Sequence, residues 1–337
     1  MIFPRMAFLL CVCAMGLASA GVRAQSVVRV DGSSTVFPIS EAAAEDFQIA
    51  RREKRLRVTV GMSGTGGGFK KFCMADASLR VDVTGASRPI STGEMAACRA
   101  AGIRFIELPI AFDAVTIVVS KRNPLESISI EDLKKIWEPA AQAKIFNWRQ
   151  VNPAFPDRAL KLYGPGTDSG TFEYFTEAAV GRVKASRGDY TASEDDNVVV
   201  QGVSRDNSGL GYLGYAYYAE NTDKLKALAI SPAVGKPAVL PSEQSVMDGS
   251  YVPMSRPIFI YVNAEAAGKR PEVRDFVEFY LKHAGAFARE VKYVPLRDVD
   301  YAQVLENFGR LRTGTAFEGH SEIGVKVAEL LKREVKE

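Results

Sequence analysis

Two hydrophobic periods run along this chain. Val27, Val28 and Val30 read as a short strand, and Ala43, Phe47 and Ile49 mark the apolar side of a helix over about 39–50. Leu56, Val58 and Val60 alternate with polar residues as a strand does, and Phe69-Lys70-Lys71-Phe72 opens a second helix. Residues 81–90 form a short strand ending on Arg88, held extended by Pro89, and a helix carrying Cys98 follows. Further on, Leu160, Leu162 and Tyr163 end a strand, and Phe172, Phe175, Thr176 and Ala179 recur at helical spacing. Helices are also predicted over 130–137, 198–203 and 273–281, the last with Phe276, Val277 and Tyr280 on one face. Residues 211–218, rich in Tyr and Gly, read as a packed strand and helix start. Residues 322–337 read as an amphipathic helix, with Ile323, Val325, Val327, Leu330 and Leu331 packing on the body. Two runs break the alternation. Residues 106–120 and 257–262 are almost continuously apolar, so both are expected as buried strands able to cross between domains.

Three of the strand-to-helix turns share one design. Asp31-Gly32-Ser33-Ser34-Thr35-Val36-Phe37-Pro38, Gly61-Met62-Ser63-Gly64-Thr65-Gly66-Gly67-Gly68 and Gly164-Pro165-Gly166-Thr167-Asp168-Ser169-Gly170-Thr171 each put small and hydroxyl residues at a helix start. The first N–H groups of a helix lack partners within it, and the helix end is positive, so such turns suit an anion. Each hydroxyl can also serve merely as a cap. No Gly-Lys-Ser/Thr follows the second turn, so it is not a P-loop, and its glycine spacing is not the dinucleotide fingerprint. It is not a nucleophile elbow either, since no histidine is placed to serve it.

Composition narrows the function. The 337 residues, 47 % hydrophobic, suffice for two domains. A net charge of +3 is too small for a nucleic-acid surface. His283 and His320 lie far apart and read as ordinary helix or surface residues, which leaves no metal cluster and no general base. A basic start, an apolar segment over 6–17 and small residues up to Ala20 or Ala24 read as a secretory signal peptide over 1–24, too short to span a bilayer. Cys11 and Cys13 leave with it. In an exported protein the remaining Cys73 and Cys98 are read as one disulfide, with two buried free thiols as the alternative. Arg187-Gly188-Asp189 has the form of an adhesion tripeptide, but its polar surroundings, residues 186–197, read as a loop and helix entry.

If the three turns face one cleft between two lobes, they make a cage of N–H and O–H donors, and an arginine can grip a tetrahedral oxyanion with two parallel bonds. Five phrases then carry a family resemblance: Asp-Gly-Ser-Ser-Thr-Val-Phe-Pro (31–38), Ser-Gly-Thr-Gly-Gly-Gly-Phe-Lys-Lys-Phe (63–72), Gly-Ala-Ser-Arg-Pro-Ile (85–90), Gly-Pro-Gly-Thr-Asp-Ser-Gly-Thr-Phe (164–172) and Gly-Tyr-Leu-Gly-Tyr-Ala (211–216). In this order they resemble the periplasmic phosphate-binding proteins of Pst-type ABC transporters. The resemblance implies an α/β, two-lobed, Venus-flytrap binding protein of type II. It would bind inorganic phosphate, use no cofactor, perform no catalysis, and deliver its cargo as a monomer to the permease and ATPase subunits of an importer.

By position, the implied phosphate contacts are Ser34, Thr35 and the Val36 N–H from the first turn, Thr65 with Gly66 from the second, and Ser169, Gly170 and Thr171 from the third. Many members carry an aspartate where this chain has Arg88 and an arginine where it has Pro165. Arg88 is therefore expected on the anion, with Asp168 as the acceptor that tests for a phosphate proton. The departure keeps another oxyanion (sulfate, arsenate or an organic phosphate) as the alternative ligand; a secreted phosphohydrolase lacks a nucleophile with its base. The expected division is lobe 1 at 27–111 plus 257–312, lobe 2 at 112–256 and a tail at 313–337. Hinge segments lie at 110–114 and 255–259, and the Cys73–Cys98 bridge within lobe 1.

Overall fold

The computed structural model describes residues 26–54, 56–167, 169–193, 195–233, 235–319 and 326–336. The signal peptide, Asp168, His320, Ile323 and Val325 lie outside the described residues.

Twelve strands occur in chain order: β1 Val27–Gly32, β2 Arg57–Val60, β3 Val83–Ala86, β4 Phe105–Ser120, β5 Ser127–Ser129, β6 Lys161–Pro165, β7 Thr191–Ser193, β8 Gly209–Gly214, β9 Leu225–Ala227, β10 Ala229–Ser231, β11 Ser255–Asn263 and β12 Val294–Pro295. Ten of them form one sheet of order β2-β1-β3-β11-β4-β8-β6-β7, with β9 and β12 also on β4, while β5 and β10 pair separately. The parallel ladders β2-β1-β3 and β8-β6-β7 lie at opposite ends. The two apolar runs join them. The first half of β4, Phe105 to Ala114, lies antiparallel to β11, and the next residues, Val115 to Val119, lie antiparallel to β8. One strand thus belongs to both halves, which explains why every residue but the half-buried Glu107 is buried: it is covered on both faces along its length.

Helices cover each half. Phe47 of the helix Phe37–Ala50 meets Phe276 and Phe279 of the helix Pro271–Glu290 edge-on, at 5.4 Å in both cases. In the other half Trp137, Phe175 and Tyr212 pack together, with Phe175 and Tyr212 stacked at 3.8 Å. Each such fully buried aromatic contributes on the order of 2–3 kcal/mol, and Phe175 thereby anchors the short helix Gly170–Phe175. His283 is an exposed helix residue whose Nδ1 lies 2.8 Å from the Phe279 carbonyl.

Two expectations need correction. The second helix starts at Gly64, not near Phe69, so the glycine run is its first turn. Packing decides this: a Cβ on Gly68 would lie 2.3 Å from Thr84 Oγ1 and 2.6 Å from the Gly32 Cα, so only glycine lets this helix approach β1 and β3. The expected long C-terminal helix is also not formed. Among the described residues it covers only Val327–Leu330, and Lys336 then pairs with Thr315.

The tail reaches the sheet through a buried carboxylate. Glu107 of β4 accepts from Thr315 Oγ1 at 2.5 Å, from the Ala316 N–H at 3.0 Å and from Tyr261 OH at 2.7 Å. Three donors compensate for burial that pushes this carboxyl above its usual range. Cys73 and Cys98 are bonded, joining the helices Gly64–Phe72 and Thr92–Ala100.

The Arg187-Gly188-Asp189 phrase is structural. Arg187 is 2 % exposed. It donates to the Ile136 and Ile145 carbonyls at 3.2 and 3.1 Å and to both Asp189 oxygens at 2.5 and 2.8 Å. The hydrogen bonds from Arg187 hold the Asp189 carboxyl down, at about 2. A depressed carboxylate stabilises the fold above its ordinary value of 3.8 and loses that contribution as pH falls toward about 2. Arg187→Gln is expected to cost about 1–3 kcal/mol at neutral pH, because the Ile136 and Ile145 carbonyls lose their donor. Denaturant unfolding of the two proteins measures this; equal midpoints would refute it.

Candidate functional site

β1, β2 and β6 each run into one of the three turns. β1 ends at Gly32, and the Ser33 N–H donates to the Gly85 carbonyl at 2.9 Å, which ties the first turn to β3. Ser33 Oγ accepts the Thr35 N–H at 3.2 Å. The Val36 N–H, expected to face an anion, instead closes a turn on the Ser33 carbonyl at 3.1 Å. Pro38 sits in the first helical turn, where its missing N–H costs nothing. Ser34 and Thr35 stay at the apex. Thr35 is 5 % exposed, and its Oγ1 is buried with no hydrogen-bond partner among the described residues. A buried hydroxyl left alone costs about 1–3 kcal/mol, so this atom marks where a ligand acceptor or donor belongs.

The second turn is braced from the first. Asp31 accepts from Ser63 Oγ and, at 2.5 Å, from Lys71 Nζ, bridging β1 to the helix that carries Thr65 and Gly66. Thr65 Oγ1 accepts the Ser87 N–H at 3.2 Å and lies 3.1 Å from Ser87 Oγ. Thr65 therefore shares its hydroxyl with Ser87, a residue the sequence reading did not single out.

The third turn meets the first across the cleft. A Cβ on Gly170 would lie 2.1 Å from Thr35 Oγ1, 3.0 Å from Ser34 Oγ and 3.1 Å from the Thr35 N. Ser34, Thr35 and Gly170 are thus brought into direct contact although 135 residues separate Thr35 from Gly170. Ser169 caps its own helix by accepting the Thr171 N–H at 3.2 Å. Thr171 turns to a neighbouring recess that Asp196 and Lys292 also line.

Next to Ser87, the partner of Thr65, lies a cavity of about 170 Å³, lined also by Arg88, Tyr174, Glu177, Arg256 and Phe317 among others. Arg88 reaches its wall, but its guanidinium is engaged. It donates to Glu94 Oε2 and Oε1 at 2.9 and 2.8 Å and to the Pro89 carbonyl at 3.0 Å. Hydrogen bonding to Glu94 raises Arg88 against burial. Burial pushes Glu94 up, yet the bonds from Arg88 and Ser91 hold it below its usual value. Glu94 also closes a capping box with Ser91 at the start of the helix Thr92–Ala100.

Two charged residues on the paired strands β4 and β11 escaped the sequence reading. Asp113 of β4 is 1 % exposed and faces Arg256 of β11 in the strand register, with Arg256 Nη2 3.5 Å from Asp113 Oδ2. Burial raises the Asp113 carboxyl despite Arg256. The Arg256 guanidinium carbon lies 3.8 Å from the centre of the Tyr174 ring, and Tyr174 OH donates to the Pro253 carbonyl at 2.6 Å. A signal existed: Glu107 and Asp113 are the two charges within an otherwise apolar strand. Among the described residues there is no group of three or more His, Cys, Asp or Glu that could hold a metal, and no helix is long and apolar enough to cross a membrane.

A family model described as a PBP superfamily domain matches residues 18–283. Protein SphX of Synechococcus elongatus is 54 % identical over 92 % of this chain and 89 % of its own length. The phosphate-binding protein PstS of Staphylococcus saprophyticus is 38 % identical over 86 % of both. The crystal structure of a possible phosphate binding protein from Planctomyces limnophilus superposes with a TM-score of 0.76 at 42 % identity, covering 85 % of this chain and 99 % of that one. An ABC-type phosphate transport receptor from Vibrio cholerae shares the fold, with a TM-score of 0.63 at 20 % identity over 80 % of this chain and 99 % of its own.

Proposed function

Because this chain belongs to the PstS-type phosphate-binding proteins of the PBP superfamily, a family of solute-binding proteins and not of enzymes, we propose that it captures inorganic phosphate between two lobes outside the cytoplasm and delivers it to the permease and ATPase of an ABC importer. The orphaned Thr35 hydroxyl carries this reading. It is buried, partnerless, and faced by the third turn from the other half of the molecule. In the proposed site Ser34 and Thr35 donate from one lobe, with Thr65, Gly66 and Ser87 beside them. Gly170 closes from the other, with Ser169 beside it, while Thr171 faces the neighbouring recess. The lobes meet at residues 110–114 and 255–259, lobe 1 comprising 27–111 plus 257–312 and lobe 2 comprising 112–256. Phosphate binds the closed form better and shifts the population toward it. Residues 1–24 direct export, and the mature protein acts as a monomer.

Calorimetric titration of unfolded and refolded, ligand-stripped protein is the test. Tight one-to-one uptake of phosphate without sulfate is the expected result. Equal uptake of both would replace it with a general oxyanion receptor, and uptake of neither would end the reading.

A further inference from the structure

The cage needs a cation, and the sequence offers Arg88. The structure shows that Arg88 has little left to give, since Glu94 and the Pro89 carbonyl take three of its N–H bonds at 2.8–3.0 Å. Arg256 stands in the opposite condition. Its guanidinium carries five N–H donors, yet among the described residues it donates only to Asp113, at 3.5 Å, the long limit of a hydrogen bond. Its Nε is buried without any partner. An arginine side chain only 12 % exposed, with most of its donors unmet, calls for an acceptor that is not part of the chain.

Its surroundings place that acceptor in the cleft. Arg256 lines the same cavity as Ser87, and Ser87 hydrogen-bonds Thr65 of the second turn. Tyr174, which stacks on Arg256, lies one helical turn beyond Gly170, where the third turn touches Thr35. The planar guanidinium is thus held between an aromatic face from one half and a carboxylate of the hinge strand, with its remaining edge unused. We propose that Arg256, not Arg88, is the guanidinium that grips the bound tetrahedral oxyanion, with Asp113 and Tyr174 as its positioning residues. This rests on the phosphate reading above and names the charge that reading lacks. It also gives the hinge a direct part in recognition: Arg256 sits on the strand paired with β4, and Tyr174 reaches it from the half that bears the third turn. An anion drawn to Arg256 lies beside Ser87, whose hydroxyl is paired with Thr65 of the second turn.

The test is titration of inorganic phosphate into wild type, Arg256→Gln, Arg256→Lys and Arg88→Gln. Loss of charge-assisted bonds at Arg256 is expected to weaken binding about 100-fold in Arg256→Gln and about 10-fold in Arg256→Lys, whose ammonium keeps the charge but not the fork. Arg88→Gln is expected to stay within about 5-fold of wild type, because Arg88 is spent on Glu94. Circular dichroism confirms that each variant is folded, and the lysine variant carries the test if the glutamine variant is not. Ethylguanidinium is expected to recover at least about tenfold of the affinity lost in Arg256→Ala, a rescue that a purely structural role would not give. Wild-type affinity in Arg256→Gln or Arg256→Lys, an equal or larger loss in Arg88→Gln, or no rescue of Arg256→Ala would each overturn the assignment. No phosphate uptake by wild type would instead sink the phosphate reading, and the assignment with it.

Discussion

Gly170→Val is expected to bind phosphate roughly 10- to 100-fold more weakly than wild type while folding at least as well, the range that overpacking of a tight contact produces. The first added carbon alone would lie 2.1 Å from Thr35 Oγ1. That hydroxyl can rotate away, but the Thr35 backbone N at 3.1 Å cannot, and Ser34 Oγ stands at 3.0 Å. The clash arises only when the two halves meet, so the cost falls on closure and not on either half by itself. Glycine is a poor helix former, so its replacement within the helix Gly170–Phe175 does not weaken that helix. Calorimetry reads the affinity, and small-angle scattering with saturating phosphate reads the shape. Wild-type affinity in this variant would mean that the observed contact is not the one made around the ligand.

Thr35→Val is expected to move stability and binding in opposite directions. Without ligand, the substitution removes a buried hydroxyl that has no partner and keeps the side chain's shape, so unfolding should cost about 1 kcal/mol more. With phosphate, the same hydroxyl is a donor to a charged oxygen, a bond worth about 1.5–3 kcal/mol, so affinity should fall roughly 10- to 100-fold. A hydroxyl with a purely structural role would show the opposite sign in the first measurement. Loss of stability together with unchanged affinity would refute the assignment of Thr35 to the ligand.

Both predictions rest on one arrangement. The three turns are local structures, but the cage exists only because β4 and β11 carry the chain from one half of the sheet to the other and back. The same strands hold Asp113 and Arg256, so the buried ion pair sits where the two halves of the sheet join. A tight hydrogen-bonded brace from Asp31 to Ser63 and Lys71 keeps the first and second turns in register.

Much of this was legible from the residues alone. The helix over about 39–50 and the strand–turn–helix order at 160–179 followed from apolar spacing, since each element buries one face against its own half. The two crossing strands were legible for a related reason: a strand covered on both sides must be apolar throughout, and residues 106–120 and 257–262 are nearly so. Two cysteines in a chain read as exported were paired correctly.

What the sequence could not settle is how side chains share partners across distance. Arg88 is expected on the anion because nothing in its own phrase marks Glu94 as its partner; in the fold Glu94 is both helix cap and counter-ion. Val36 was assigned a free N–H that a turn had already taken. The glycine run at 66–68 read as a loop, because only contact with Gly32 and Thr84 shows why a helix there excludes side chains. Arg256 was passed over since nothing nearby in the chain marks it, and its meaning comes from Asp113, 143 residues away, and from Tyr174. Periodicity and family phrases thus determined most of the elements, their order and the three glycine- and hydroxyl-rich turns, because those depend on near neighbours and one buried face. The tertiary structure alone decided which donors remain unspent, because a hydrogen bond or ion pair is used up by whichever partner folding brings within about 3 Å.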